Sequence, residues 1–203
     1  MLQKITTDEE LTAIYGDPEE RSLTKEIDYI SDHYRAFIDA CPFVVVATNG
    51  PGGLDCSPRG DPPGFIRVVD EHTILLPDRR GNNRIDSLRN LINDPHISLL
   101  FLIPGVGETL RINGRAEIIV DPDLLNSFEM QGKIPRSVLK VTVDRIYYQC
   151  PKALVRSKLW QADAQIDRAR LPSAGDIQQA LSEDLDGAAY DRDYPARIKE
   201  TIY

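Results

Sequence analysis

The 203-residue sequence is short of several things, and each shortage removes a class of function. It has three cysteines, Cys41, Cys56 and Cys150, with no C-x-x-C pair among them. That spacing excludes a disulfide framework and a thiolate zinc site, and it fits a reducing compartment. Cys56 and Cys150 read as packed rather than reactive. The histidines, His33, His72 and His96, are too scattered to form a metal set. His72, in a turn, reads as exposed. No Ser/His/Asp or Cys/His arrangement suits nucleophilic catalysis, so no protein acid or base is named. No apolar run approaches the ~18 residues of a membrane helix, and the opening MLQKITTDEEL has no apolar signal core. The expectation is a soluble cytoplasmic protein with no membrane partner. Nor is there a basic excess. The formal net charge is -8, which argues against a nucleic-acid partner. What is present is enough apolar residue, 41%, for a core in one domain that carries appended elements or works as a dimer.

Against this acidic background one cationic stretch stands out: Thr73 to Leu91, TILLPDRRGNNRIDSLRNL. It reads as a buried strand, Thr73–Leu76, a turn through Pro77–Asn83, and a helix entered near Arg84. Ile85, Leu88, Leu91 and Ile92 have the spacing of one packed helix face. Asn82 or Asn83 is placed to cap the helix. A helix N-terminus favours an anion, and Arg79, Arg80 and Arg84 add permanent charge with phosphate-matching geometry. The stretch is therefore a candidate phosphate site. It is also what an exposed basic turn looks like, and the motif alone does not separate the two.

The rest of the chain divides into three parts. Residues 1–42 read as a helical arm lying against a β domain. The arm has a first short helix with Thr7/Glu10 capping-box spacing and a stop at Gly16, then a second helix from Lys25 to Ala40. Residues 43–160 read as the domain proper. Its strands are Phe43–Thr48, Leu54–Ser57, Phe65–Val69, Thr73–Leu76, His96–Ile103, Glu108–Val120 and Ser137–Tyr148. Gly114 is a bulge or bend in the sixth of these. Pro58–Gly64 reads as an irregular loop, because prolines and glycines crowd it. A helix covers Pro122–Gln131 behind an Asp121 cap, and a short one begins after Cys150-Pro151. Residues 161–203 form an acidic appendage with one helix near Asp176–Glu183. Strands joined by tight turns favour an antiparallel barrel with peripheral helices. In such a barrel the hairpin between Phe65 and Leu76 brings Arg59 and the Arg79–Arg84 turn to the same end.

The run SPRGDPPGFIRVVDEHTILLPDRRGNNRIDSLRNLINDPHISLLFLIPG, with ETLRINGRAEI and YYQCPKALVRSKLW after it, resembles the pyridoxamine 5′-phosphate oxidase-like, FMN-binding split-barrel family. The likeness covers Phe43 to Trp160. It is most specific at Arg59 and Asp78–Leu91. It implies a mainly β fold with peripheral helices, a six-stranded antiparallel split barrel. It further implies a homodimer with FMN at the interface and oxidoreductase chemistry on a small molecule. By this resemblance Arg59, Asn83 and Arg84 hold the FMN phosphate. Leu76, Pro77, Asp78 and Arg79 run along the isoalloxazine ring, and Thr109, Leu110 and Arg111 lie on a strand facing the flavin. Lys158 and Trp160 correspond to a basic residue and an aromatic approaching the ring, from the same or the partner subunit. Trp160 also fits simple packing at the barrel end, and Arg111 an ordinary outward position.

The departures matter as well. The namesake enzyme's Ser-Arg-Lys run is Asn82-Asn83-Arg84 here. Its Arg-Gln pair is Glu108-Thr109, and its C-terminal Trp–Arg signature is absent after Trp160. Oxidation of pyridoxamine phosphate is therefore not expected. A deazaflavin-dependent split-barrel reductase and a non-catalytic flavin- or haem-binding protein remain as alternatives to an FMN oxidoreductase.

Overall fold

The computed structural model describes residues 2–182 and 184–203. Seven antiparallel strands make one sheet: β1 (Phe43–Gly50), β2 (Gly53–Gly60), β3 (Arg67–Asp70), β4 (Thr73–Asp78), β5 (His96–Leu102), β6 (Thr109–Ile119) and β7 (Ser137–Gln149). Their order is β2-β1-β5-β6-β7-β4-β3. β2 and β4 are distant in that order, yet Arg59 on β2 lies 3.3 Å from Asp78 on β4. The sheet is thus strongly curled. It remains an open, seven-stranded sheet, which corrects the expected six-stranded barrel. The short β3 forms one edge and β2 the other, and no strand ladder joins them among the described residues.

Alternation along the strands builds the core. Val44 and Val46 of β1, Ile97, Leu99 and Phe101 of β5, Leu110 and Ile112 of β6, and Leu139 and Val141 of β7 are all buried in one hydrophobic core. Gly114 is a bulge, as its place in a long strand suggested: the β6–β7 register shifts between Asn113 and Gly114. A Cβ there would collide with the Thr142 carbonyl.

The helices are capped largely as their sequences suggest. Thr7 caps α1 (Asp8–Tyr15), and Gly16 ends it at φ 70°. α1 buries no residue, so it does not lie against the sheet as expected. The helix expected over Lys25–Ala40 is broken. After α2 (Glu20–Leu23) the chain extends so that Ile27 bridges Ile146 of β7, and Ser31 caps a fresh helix, α3 (Asp32–Ala40). α4 spans Asp86–Asn93. α5 (Pro122–Asn126) stops short of Gln131, because the chain turns back through left-handed Gln131 and Gly132, pairing Met130 with Lys133. α6 (Lys152–Ser157) comes after β7. The tail forms α7 (Ala174–Leu181), behind a Ser173–Asp176 capping box, and α8 (Gly187–Thr201). The expected helix end at Glu183 lies outside the described residues. α8 escaped the sequence reading because it holds Pro195 and has a weak apolar stripe. The tail is not detached: the Tyr203 hydroxyl donates to Asp61 at 2.7 Å.

Candidate functional site

Three elements converge at the Ser137 end of the β6–β7 ladder. The first is β2, where Asp55, Ser57 and Arg59 alternate inward. Pro58 belongs to this strand, and the chain turns irregular only beyond Gly60. A proline is tolerated because β2 is an edge strand with one unpaired side. The second is β4, which continues past Leu76 to Asp78 and pairs Asp78 with Ser137. That register sets Arg136 opposite the turn after β4. The third is α4 and its approach. Asn83 and Ile85 sit at φ 62° and 53°, a left-handed conformation that is strained for a β-branched residue.

α4 differs from the sequence expectation in its start. Ile85, not Asn82 or Asn83, occupies the cap position, and no side chain caps the helix. The Asn82 amide oxygen instead accepts from the Arg84 N–H at 3.1 Å, and the Asn83 oxygen accepts from Arg136 at 3.1 Å. Every other helix of eight residues or more among those described has a side-chain cap. The first-turn N–H groups of α4 therefore keep unused donor capacity. Its packed face also differs. Leu91 is buried and Leu88 packs on the core, but Ile85 and Ile92 are exposed. Polar Ser87 and Asn90 are buried in their place. The Ser87 hydroxyl donates to Asp55, and the Asn90 amide donates to Thr48 Oγ1 and the Gly53 carbonyl at 3.2 Å each. Gly50 of β1 permits this contact, since a Cβ there would meet the Asn90 backbone.

These elements enclose a cleft of about 630 Å³. Five arginines line it, Arg59, Arg79, Arg80, Arg84 and Arg136, against three aspartates, Asp55, Asp78 and Asp86. Burial pushes the Asp78 carboxyl above the usual carboxylate range, with Arg59 opposing that shift. Asp55 is held below its ordinary value, chiefly by the Ser87 hydroxyl and then by Ser57 and Arg59. Behind the wall, Arg79 pairs at 2.7 Å with Asp61, whose side chain is fully buried. Arg79 also donates to the Phe128 carbonyl at 2.6 Å and lies under the Tyr203 ring. The cleft therefore offers cationic forks and free helix N–H donors, a donor set suited to a phosphate.

The residues singled out in the sequence fall into two groups. Arg59, Pro77, Asp78, Arg79, Asn83 and Arg84 line the cleft, while Leu76 is buried in the core beneath it. Thr109, Leu110, Arg111, Lys158 and Trp160 do not line it. Thr109 and Leu110 are buried in β6. Arg111 donates to the Tyr147 hydroxyl at 3.0 Å, Lys158 ends α6 at φ 54°, and Trp160 Nε1 donates to the Val106 carbonyl at 2.7 Å. Asp55, Ser57, Ser87 and Arg136 line the cleft without having been singled out. Alternation along β2 could have revealed the first two. Arg136 depends on a strand register that nothing local encodes. Cys56 and Cys150, read as packed, are exposed, whereas Cys41 is buried; His72 is exposed as expected. Among the described residues no His/Cys/Asp/Glu group could hold a metal ion, and no helix is long and apolar enough to cross a membrane.

A family model described as pyridoxamine 5′-phosphate oxidase matches residues 30–150. No curated protein matches the chain. Among solved structures, HupZ from Group A Streptococcus is similar at 18% identity and a TM-score of 0.48, over 60% of this chain and 94% of that one. An F420 reductase is similar at 14% identity and 0.42, over 59% and 98%. An FMN-binding protein from Syntrophomonas wolfei subsp. wolfei is similar at 9% identity and 0.43, over 69% and 95%.

Proposed function

We propose, from the premise that this chain belongs to the pyridoxamine 5′-phosphate oxidase family, that it is a flavoprotein holding FMN by its phosphate in the arginine-lined cleft. One observation carries the reading: the uncapped N-terminus of α4 opens into the same cleft as five arginines. A phosphate dianion needs both compensating charge and directed donors, and this corner supplies both. Arg59, Asn83 and Arg84 surround the phosphate, and the Pro77–Arg79 backbone leads away from it along the ring. The donor set suits FMN better than haem, because among the described residues no His, Cys, Met or Tyr lines the cleft to act as an axial ligand.

The proposal extends to a homodimer. Arg111 and Ile119 lie eight residues apart on β6, roughly 26 Å at ~3.3 Å per residue. Ile119 pairs with Val138 beside the cleft, so Arg111 sits at the far end of its own chain. A partner subunit is what would bring Arg111, Lys158 and Trp160 to the ring of the flavin bound here. Bound FMN would supply the hydride and electron transfer of an oxidoreductase acting on a small molecule. The chain's own residues bind, orient and shield it.

The purified protein is expected to be yellow, with a visible band that bleaches on dithionite, and to release FMN identifiable by mass spectrometry. A sharp Soret band, or a colourless protein that FMN does not colour, contradicts the reading.

A further inference from the structure

Three of the five arginines in the cleft already face a carboxylate. Arg59 lies 3.3 Å from Asp78, Arg79 2.7 Å from Asp61, and Arg84 2.8 Å from Asp86. Each of these charges is compensated locally before any ligand arrives. Arg80 and Arg136 differ: no carboxylate among the described residues lies within ion-pair distance of either. The side-chain partner of Arg136 is neutral, the amide oxygen of Asn83 at 3.1 Å. Both arginines are exposed at the cleft wall. They carry the uncompensated positive charge of this corner.

We infer that Arg136, seconded by Arg80, is the residue that selects a phosphate monoester dianion at this cleft, while Arg59 and Arg84, each already balanced by an aspartate, flank the phosphate and Arg79 fixes the shape of the wall. The β4–β7 register places Arg136 there. Asp78 pairs with Ser137, so the next residues outward, Arg79 and Arg136, flank one opening. A guanidinium has five N–H donors in a planar fork. One holds Asn83, whose left-handed backbone shapes the turn, and the others remain for phosphate oxygens. Removing Arg136 strips a charge that no aspartate balances, so the preference for a dianion goes with it. The inference rests on the phosphate end of the proposed flavin site, but it requires only the phosphate.

The test is a titration by quenching of flavin fluorescence, with FMN and with riboflavin, which lacks the phosphate. The wild-type protein, Arg136→Gln, Arg136→Lys and Arg115→Gln are compared. Arg115 pairs with Asp144 on the sheet outside the cleft and controls for overall charge. Arg136→Gln should weaken FMN about 10- to 100-fold, the size of one charged hydrogen-bonded contact, and leave riboflavin unchanged. Arg136→Lys should lose less, and Arg115→Gln nothing. An unchanged FMN-to-riboflavin ratio in Arg136→Gln, or an equal loss for both ligands, overturns the inference. If the wild-type protein quenches neither flavin, the flavin reading fails, and inorganic phosphate decides the matter by thermal unfolding. Stabilisation of the wild type but not of Arg136→Gln supports the role of Arg136. Equal stabilisation of both, or of neither, overturns it.

Discussion

The two ends of the β6–β7 ladder hold arginines in opposite ways. At the far end, Arg111 donates to the Tyr147 hydroxyl at 3.0 Å and to Gln149 at 3.4 Å, and its guanidinium lies 5.7 Å from the Tyr147 ring. Trp160 is likewise committed to the Val106 carbonyl. There Arg111 and Trp160 have their partners within the chain. At the Ser137 end, arginines outnumber the aspartates beside them, the turn before α4 is strained, and a helix begins without a cap. Buried and half-buried polar groups in folded proteins are ordinarily matched. The unmatched cations and N–H donors are what the proposed phosphate site rests on.

Reversing charge at the unmatched end should have the largest effect. Arg84→Glu sets a second carboxylate beside Asp86 in place of a paired cation. The variant should purify folded and without colour, its FMN affinity lower by at least ~100-fold, about 2.7 kcal/mol. Full flavin occupancy in this variant would erase the contrast between the ends.

The next effect concerns stability alone. Asp61 is fully buried and accepts from Arg79 on one oxygen and from Tyr203 on the other. Tyr203→Phe leaves that second oxygen unpaired and should cost about 1–3 kcal/mol in urea unfolding. A neutral result would mean that the tail is not anchored at the cleft wall.

Arg111→Leu probes the far end. If that end meets the flavin ring from a partner subunit, FMN and riboflavin should both weaken by a similar factor, on the order of 3- to 10-fold, about one neutral contact. A loss confined to FMN would move the phosphate to the wrong end of the molecule.

The smallest effect is in the pH dependence of stability. Asp55 has a depressed pKa, so its contribution is present above the unfolded value, about 3.9, and disappears as pH falls through the folded value. The stability gap between wild type and Asp55→Asn should therefore close in acid. Asp78 has a raised pKa, so its ionisation costs stability as pH climbs from the unfolded value through the folded one. Asp78→Asn should lack that loss. Parallel denaturant curves at pH 3.5 and 7 distinguish the two slopes.

Much of this molecule was legible in its sequence where the signal was local. The caps at Thr7 and Asp121, the bulge at Gly114 and the strands rich in β-branched residues are written in neighbouring residues. The misreadings came from context. Pro58 looks like a loop residue until β2 proves to be an edge. Ile85 and Ile92 look like an inner helix face until Asp55, Thr48 and the Gly53 carbonyl reward Ser87 and Asn90 for facing in. Arg136 looks like any surface arginine until strands some sixty residues apart fall into register. Each is a tertiary decision, taken by partners that local pattern does not name.

The most direct test is the crystal structure of the chain with FMN bound. The phosphate should lie against the first turn of α4, within hydrogen-bond distance of Arg136 and beside Arg59 and Arg84. A phosphate found instead at Arg111 and Lys158, with the α4 corner holding only solvent, would contradict the account.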